Sequence, residues 1–225
     1  MILPETHPDL AEATHQTLTA FPDAEVSLPC DPCAAAAIWT ARLWGDRSGW
    51  ACLYLGHGGH YPKASSGYTF TRFEERWFRW PDDRGRLLQL ALTYGPEADV
   101  YAGCLLRATR SRKAGNALPG LVAWADVDGL WTPQRQAALD RLDGLPVWQV
   151  ASGNHGRHVY VRLGVEPESA ERIEAWNRRI GALLDADAGW SETKVLPLPG
   201  TFNHKCQPDR AVLVRRLPVP VRWLP

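Results

Sequence analysis

The 225-residue sequence predicts an α+β fold in which helices cross over a small sheet. The main observation is the order of the elements from residue 121 onward, which is strand, helix, strand, turn, strand, helix, strand. The composition agrees, because 45% hydrophobic and 22% charged residues are ordinary values for a globular protein with a core. A chain of this length forms one large domain or two closely packed subdomains.

The N-terminal part predicts a mixed layer of helices and strands. Apolar residues at helical spacing predict helices over 9–21 and 34–44. Two stretches are compatible with either a helix or a strand, namely 70–80 and 87–93. Residues 99–106 predict a strand, and the basic, glycine-containing stretch 107–119 after it predicts a mobile loop.

The elements from residue 121 onward are better defined. Residues 121–127 predict an apolar strand of the buried type, and 167–184 predict an amphipathic helix. Another helix is predicted after Thr132 and Pro133, which suit the N-cap and first helical positions. Further strands are predicted at 147–151, 158–163, 194–198 and 211–215, and side chains alternate clearly along 158–163.

Two carboxylates leave the apolar strand together. Asp126 and Asp128 lie on the same face, because side chains alternate along a strand. Desolvating two like charges side by side is costly unless a cation neutralises them, and hard oxygen ligands suit Mg²⁺ or Mn²⁺. The same D-x-D pattern occurs in metal-dependent glycosyltransferases and in exposed turns, so the pair alone does not decide the function.

A glycine-rich turn, SGNHGRH at 152–158, leads into the strand near residue 158. Its glycines let backbone amides approach an anion closely, which indicates a cradle for a triphosphate. An ordinary hairpin turn is the alternative. The candidate nucleotide-binding residues of this turn are Ser152, Gly153, His155, Arg157 and His158.

A third cluster follows the amphipathic helix. Asp185 and Asp187 lie at its end, and the run PGTFNHK follows at 199–205, where Asn203 and Lys205 offer polar groups beside a strand. A third carboxylate near the first two would complete a two-metal site.

Taken together and in this order, AWADVD, SGNHGRH and PGTFNHK resemble the bifunctional primase-polymerase branch of the archaeo-eukaryotic primases, which is common in phage and plasmid replication proteins. The match spans roughly residues 100–205. It implies one primase-polymerase catalytic domain over 1–225, with an N-terminal α/β layer (1–98) packed against an RRM-like catalytic module (99–225).

The resemblance implies template-dependent nucleotidyl transfer, with Mg²⁺ or Mn²⁺ held by Asp126, Asp128 and a third acid. Asp187 fits the spacing of that acid better than Asp185. His158 would contact the phosphates of the incoming nucleotide, helped by Ser152 and the loop amides. The residues implied near the nucleotide or the template are Asn203 and Lys205. The implied partners are a single-stranded DNA template, NTP or dNTP, and a helicase domain or protein.

Two positions depart from the family pattern. Pro197 stands where relatives often have Arg, so we expect that phosphate or template contact to be missing or transferred to Lys194. His155 stands where relatives often have Lys, so Arg157 is the expected source of that charge.

The formal net charge is zero, with 25 acidic and 25 basic residues, whereas many nucleic-acid binders are strongly basic. Local basic patches can nevertheless hold a phosphate backbone. One such patch has no acid within it and is our candidate nucleic-acid contact, although a solvated loop is the alternative; it comprises Arg107, Arg110, Arg112 and Lys113.

The cysteines and the chain's hydropathy bear on metal binding and location. Five cysteines at irregular positions do not indicate a disulfide framework. Cys30 and Cys33 form a C-x-x-C pair that could bind zinc with Cys52, His57 or His60, but we favour buried, reduced cysteines. We expect a cytoplasmic protein outside the membrane, because no signal peptide or long apolar run is visible.

Three other functions remain open. A replication-initiator nuclease would need HGRH as its metal-binding histidine pair, but Gly156 and Arg157 do not space two inward histidines. A D-x-D glycosyltransferase leaves PGTFNHK unexplained. A non-catalytic nucleic-acid-binding module leaves the acid cluster unexplained.

Overall fold

The computed structural model describes residues 31–62, 67–142, 144–152 and 156–205, and the backbone of 210–211 and 213–216. The helix predicted over 9–21 and the residues Cys30, Gly153 and His155 lie outside these ranges. The helices are α1 (Pro32–Trp44), α2 (Arg84–Tyr94), α3 (Pro133–Asp140) and α4 (Ala170–Leu184). The strands are β1 (Gly49–His57), β2 (Arg72–Trp80), β3 (Asp99–Gly103), β4 (Val122–Val127), β5 (Val147–Ala151), β6 (Arg157–Arg162), β7 (Val195–Pro197), β8 (Phe202–Asn203), β9 (Arg210–Ala211) and β10 (Leu213–Arg216).

Short polar side chains begin three of the helices. The Asp31 side chain accepts a hydrogen bond from the Cys33 amide at the start of α1. Thr132 and Ser169 do the same for α3 and α4. These oxygens satisfy amides that lack a partner within the helix, and they fix where each helix begins. The N-cap predicted at Thr132 is confirmed.

The first sheet has the antiparallel order β2-β1-β3-β7. Its inner face carries Leu53 and Leu55 from β1 with Phe78 and Trp80 from β2, all in the main hydrophobic core. Residues 70–80 therefore contain a strand. Residues 87–93 are helical, as part of α2, which packs against this sheet.

The second sheet has the antiparallel order β10-β5-β6-β4. The odd-numbered residues of β4, such as Ala123 and Val127, share a second core with Ile180 of α4. The opposite face joins the main core, where Trp124 and Tyr160 are fully buried. The two sheets therefore share one core, while α3 and α4 cover the far face of the second sheet.

The α+β class and the arrangement of a catalytic-type sheet against an N-terminal layer are confirmed, but the division at residue 98 does not follow the sheets. β3 and β7, which we assigned to the catalytic module, both belong to the first sheet. β3 is buried along its whole length, and it satisfies its backbone groups by pairing with β1 on one edge and β7 on the other. It also ends at Gly103 rather than at residue 106.

The loop over 107–119 folds back on the first sheet. The backbone of Arg107 exchanges two hydrogen bonds with Trp50, and the Leu118 amide donates to the Leu106 carbonyl. The Ala108 amide donates to the Asn116 carbonyl. The loop thus has defined contacts where the sequence predicted a mobile connection. No helix in the described ranges is both long and apolar enough to cross a membrane.

Candidate active site

Asp126 lies near the end of β4, opposite His158 of β6 in the strand register. This register brings His158 Nε2 to 3.4 Å from Asp126 Oδ1. The other carboxylate oxygen, Oδ2, accepts a hydrogen bond from Lys194 Nζ at 2.6 Å. Asp126 is therefore held between an imidazole from its own sheet and an ammonium from the segment after α4.

Asp187 is the acid that joins the D-x-D pair. The Asp187 amide donates to the Asp126 carbonyl at 2.9 Å, so the segment after α4 crosses the end of β4. Burial raises the pKa of Asp128, and a hydrogen bond shared with Asp187 and the charges of Asp126 and Asp187 raise it further. Asp185 instead has a side chain that is 99% exposed, 3.6 Å from Arg135.

Lys194 is the cation that stabilises the Asp126 carboxylate at neutral pH. Burial opposes ionisation of Asp126, but the neighbouring His158 and Lys194 outweigh it and hold the pKa below its ordinary value. Burial also lowers the pKa of His158, to about 4, against the attraction of Asp126. The imidazole is therefore neutral at pH 7, and the opposing charge comes from Lys194.

Asn177 of α4 fixes the segment that carries Asp187 and Lys194. Its Oδ1 accepts from the Trp124 amide at 2.7 Å, and its Nδ2 donates to the Trp190 carbonyl at 3.0 Å. The Trp124 indole also donates to the Gly189 carbonyl at 2.9 Å. Sequence reasoning missed Asn177, whose only signal was a polar residue on the apolar side of an amphipathic helix.

Close packing explains the glycine in this segment. A Cβ on Gly189 would lie 2.9 Å from Lys194 Nζ and 3.3 Å from Asp126 Cβ. A side chain at this position would therefore require the Lys194 ammonium, and with it the ion pair, to shift.

Arg107 departs from its predicted role. Its guanidinium is buried, donating to the Glu192 carbonyl at 2.7 Å and lying 3.4 Å from Glu192 Oε1. Glu192 Oε1 also accepts from the Gly115 amide. Arg107 therefore anchors the Asp187–Lys194 segment from inside the protein and is not exposed to a phosphate backbone, which corrects its inclusion among the nucleic-acid contacts.

The glycine-rich turn contacts both other motifs. A Cβ on Gly156 would lie 2.9 Å from the Val127 carbonyl and 3.4 Å from Asp128 Oδ1, so the turn packs against the end of β4. Asn203 Nδ2 donates to the Ser152 carbonyl, and Asn203 Oδ1 accepts from the Lys205 amide. The three segments singled out in the sequence thus meet in space.

Positive charge also surrounds this meeting point. The charge of Lys205 helps to lower the pKa of Asp126 and opposes the rise in the pKa of Asp128, so its ammonium is within electrostatic reach of the acid cluster. Unlike Lys205, Arg157 contacts uncharged side chains. It donates to Gln149 Oε1 at 2.7 Å, and its guanidinium lies 4.8 Å from the centre of the Trp131 ring.

The remaining basic residues of the predicted patch, Arg110, Arg112 and Lys113, are exposed. Arg110 lies over the Trp50 ring at 4.8 Å. Arg112 lies over the Tyr54 ring and forms an ion pair with Glu75.

The described residues do not form the zinc site that the C-x-x-C pair suggested. Cys52 is buried and free, and His57 is 3.5 Å from Glu74. Across the described part of the chain, no group of three or more His, Cys, Asp or Glu side chains is arranged as an assembled metal site. One oxygen of Asp126 is held by Lys194.

The comparisons with solved structures identify this architecture as an archaeo-eukaryotic primase-type fold. The catalytic domain of primase RepB′, solved with initiator DNA, matches with a TM-score of 0.57 at 15% identity, over 83% of this chain and 85% of that one. The primase-polymerase domain of cyanophage S-2L matches with a TM-score of 0.53 at 13% identity, over 79% and 86%.

A further structure of RepB′ matches with a TM-score of 0.55 at 15% identity over 82% of this chain. This chain spans 56% of the length of that protein. No protein-family model matches the sequence, and no curated protein matches it.

Proposed function

We propose that this chain is a metal-dependent nucleotidyl transferase that makes and extends DNA strands on a template, as a primase and polymerase. The observation that carries the proposal is the meeting of Asp126, Asp128 and Asp187 at the end of β4, in contact with the glycine-rich turn. The primase-type fold supports it, since the neighbours in structure are named as primases and a primase-polymerase.

The donor chemistry of the site fits divalent cations. Asp128 shares a hydrogen bond with Asp187 and is within electrostatic reach of Asp126, and its pKa is raised by burial first and then by these two acids. Oxygen donors of this kind suit Mg²⁺ or Mn²⁺. Bound there, the cations would supply Lewis acidity to align an attacking 3′-hydroxyl and a leaving pyrophosphate.

The residues around the acids would hold the nucleotide. In the proposal, amides of the turn that begins at Ser152 receive the triphosphate, together with His158. Lys205 lies close enough to affect the acids electrostatically and would neutralise phosphate charge. Asn203 would act by positioning, because it links the Ser152 backbone to the Lys205 backbone.

The substrate and setting follow from the same assignment. We propose that residues 1–225 act as one catalytic domain on a single-stranded DNA template with NTP or dNTP. Its setting would be phage or plasmid replication in the bacterial cytoplasm, together with a helicase domain or protein.

A strand-extension assay tests the proposal. The chain is incubated with a labelled primer on a longer template, nucleotides and Mn²⁺ or Mg²⁺, and the products are separated by length. Elongation that depends on the template and stops with Asp126→Ala is the expected result. Shortened primers would indicate a nuclease instead, and a bound but unchanged primer would indicate a binding module.

A further inference from the structure

The outer face of the first sheet carries a continuous row of aromatic rings. Tyr54 of β1 stacks on Phe73 of β2, with ring centroids 5.7 Å apart. Phe73 contacts Phe70 at 5.8 Å, Phe70 contacts Tyr68 at 5.2 Å, and Tyr68 contacts Tyr61 at 5.2 Å. We call this row, together with Trp50 of β1, the aromatic track.

Parts of the aromatic track are open to solvent. Tyr61 is 55% exposed and Phe73 is 42% exposed. Such exposure of large rings is unusual for residues that only stabilise a core, because burying aromatic area is favourable. The outer face also holds a small buried cluster of Cys52, Tyr54 and Tyr101, so Tyr61 and Phe73 are the rings of the track that are most open to a ligand.

Cations lie over the rings along the track. Arg79 and Arg110 both lie over Trp50, at 5.6 and 4.8 Å from its centroid. Arg112 lies 5.4 Å from the Tyr54 ring and 6.0 Å from the Phe73 ring. Arginine over an aromatic plane offers both a phosphate contact and a flat surface for stacking.

The track leads to the candidate active site. Lys205 Nζ lies 5.2 Å from the Tyr68 ring, and the same ammonium acts on Asp126 and Asp128. The ring centroids of Tyr101 in β3 and Phe70 are 6.1 Å apart, and the charge of Asp126 contributes to raising the pKa of Tyr101. Tyr68 therefore contacts a lysine that is within electrostatic reach of the acids.

We infer that the aromatic track binds the single-stranded part of a nucleic-acid strand and leads it toward the acid cluster. Stacking rings interleaved with arginines match unpaired bases on a phosphate backbone, whereas the bases of a duplex are already stacked on each other. The identity of this strand as a template rests on the proposed function. The binding surface itself rests on the rings and the cations.

Fluorescence anisotropy with a fluorescein-labelled oligothymidylate tests the inference, without nucleotide or divalent cation. Phe73→Leu keeps an apolar side chain but removes the ring, and we expect the Kd to rise by about 5- to 150-fold, as when one base can no longer stack on a ring. Phe73→Tyr keeps the ring and should bind like the unmodified chain. Thermal melting of both variants checks that the fold is retained.

Arginine variants test the electrostatic half of the inference. Replacing Arg110 and Arg112 by Gln should weaken binding and reduce its salt slope by about 0.7 for each phosphate that an arginine no longer neutralises. The matched control is Arg179→Gln, because Arg179 lies 5.5 Å over Trp176 on α4, outside the track. We expect that control to bind with an unchanged salt slope.

Two results would overturn the inference. One is equal affinity for the oligonucleotide of Phe73→Leu, of the variant with both Arg110→Gln and Arg112→Gln, and of Arg179→Gln. The other is a duplex of the same length that binds as tightly as the single strand. Asp126→Ala separates this inference from the proposed function, since it should abolish extension and retain binding. If the chain extends primers but the track variants bind the oligonucleotide normally, the inference about the track is wrong while the proposed function stands.

Discussion

The Lys194 ammonium and the Asp126 carboxylate, 68 positions apart in the sequence, are joined by a hydrogen bond of 2.6 Å. The lysine lies on the segment that also carries Asp187, so the ion pair fastens that segment to β4. The ion pair also has an electrostatic effect. The Lys194 ammonium occupies the Asp126 carboxylate, which we propose as a metal ligand. Stability without metal and affinity for metal should therefore be linked through Lys194.

Replacing Lys194 by Met tests this link. The variant keeps the apolar stem but leaves Asp126 beside two other acids, so we expect the free energy of unfolding without divalent cation to fall by about 1.5–3 kcal/mol. Mn²⁺ should then raise the Tm of Lys194→Met more than that of the unmodified chain, because the cation replaces the missing charge. Lys113→Met, in the exposed loop, is the control. Equal Mn²⁺ shifts in all three proteins would contradict the prediction.

The two acids at the end of α4 should behave differently. Asp187 shares a hydrogen bond with Asp128, whereas the Asp185 side chain is 99% exposed. We expect Asp187→Asn to lower template-dependent extension by more than the roughly 10- to 100-fold that loss of an outer-shell partner causes. Asp185→Asn should extend primers like the unmodified chain. A larger loss with Asp185→Asn would assign the third carboxylate to that residue.

Local pattern explains what the sequence could predict. Side-chain alternation predicted Asp126 and Asp128 on one face; Asp126 lies in β4, and Asp128 follows its last residue, Val127. Helix capping was enough to place the start of α3 directly after Thr132. The family resemblance implied that the three motifs share one site, and the hydrogen bond from Asn203 to the Ser152 carbonyl joins two of them. The roles that we assign to these side chains in catalysis stay predictions.

Pairing between distant segments explains what the sequence could not predict. Nothing local indicates that β7 pairs with β3 of the first sheet, because hydrogen bonding between strands uses backbone groups common to all residues. Arg107 begins a basic, polar stretch of the kind found at surfaces. It is buried because of its partner Glu192, which is 85 positions away in the sequence. Burial of a charged residue depends on such a partner, so local sequence does not predict it.

The buried pair of Arg107 and Glu192 should matter for stability more than for DNA binding. Arg107→Met leaves the Glu192 carboxylate without its counter-charge, and we expect the free energy of unfolding to fall by about 3–5 kcal/mol in denaturant titrations. Arg107→Met combined with Glu192→Leu should recover part of this loss, because no lone buried charge remains. Arg110→Met is the exposed control, with an expected loss of about 1 kcal/mol or less.

Measuring oligonucleotide binding by the same variants shows whether Arg107 contacts DNA instead. If Arg107→Met unfolds at the same denaturant concentration as the unmodified chain but loses affinity for DNA, Arg107 acts on the surface after all. The structure argues against this, since Arg107 is only 3% exposed.

His158 should affect the incoming nucleotide and not the affinity for DNA. It follows the glycine-rich turn directly, and its imidazole is 3.4 Å from Asp126, where a triphosphate and its metals would meet in the proposed site. Because burial lowers the pKa of His158 to about 4, the ring acts as a neutral hydrogen-bonding group at pH 7. A neutral hydrogen bond contributes about 0.5–1.5 kcal/mol, so we expect His158→Ala to lower kcat/KM for the nucleotide by about 2- to 10-fold.

Steady-state extension at varied nucleotide concentration, beside an anisotropy titration with DNA, separates the possible roles of His158. A raised KM with unchanged DNA affinity supports contact with the triphosphate. His158→Asn retains an amide donor and should lose less than His158→Ala. An unchanged nucleotide KM with a higher Mn²⁺ requirement would mean that His158 only positions Asp126. Reduced DNA affinity with a normal KM would mean that the turn faces the template, and the triphosphate would have to be placed elsewhere.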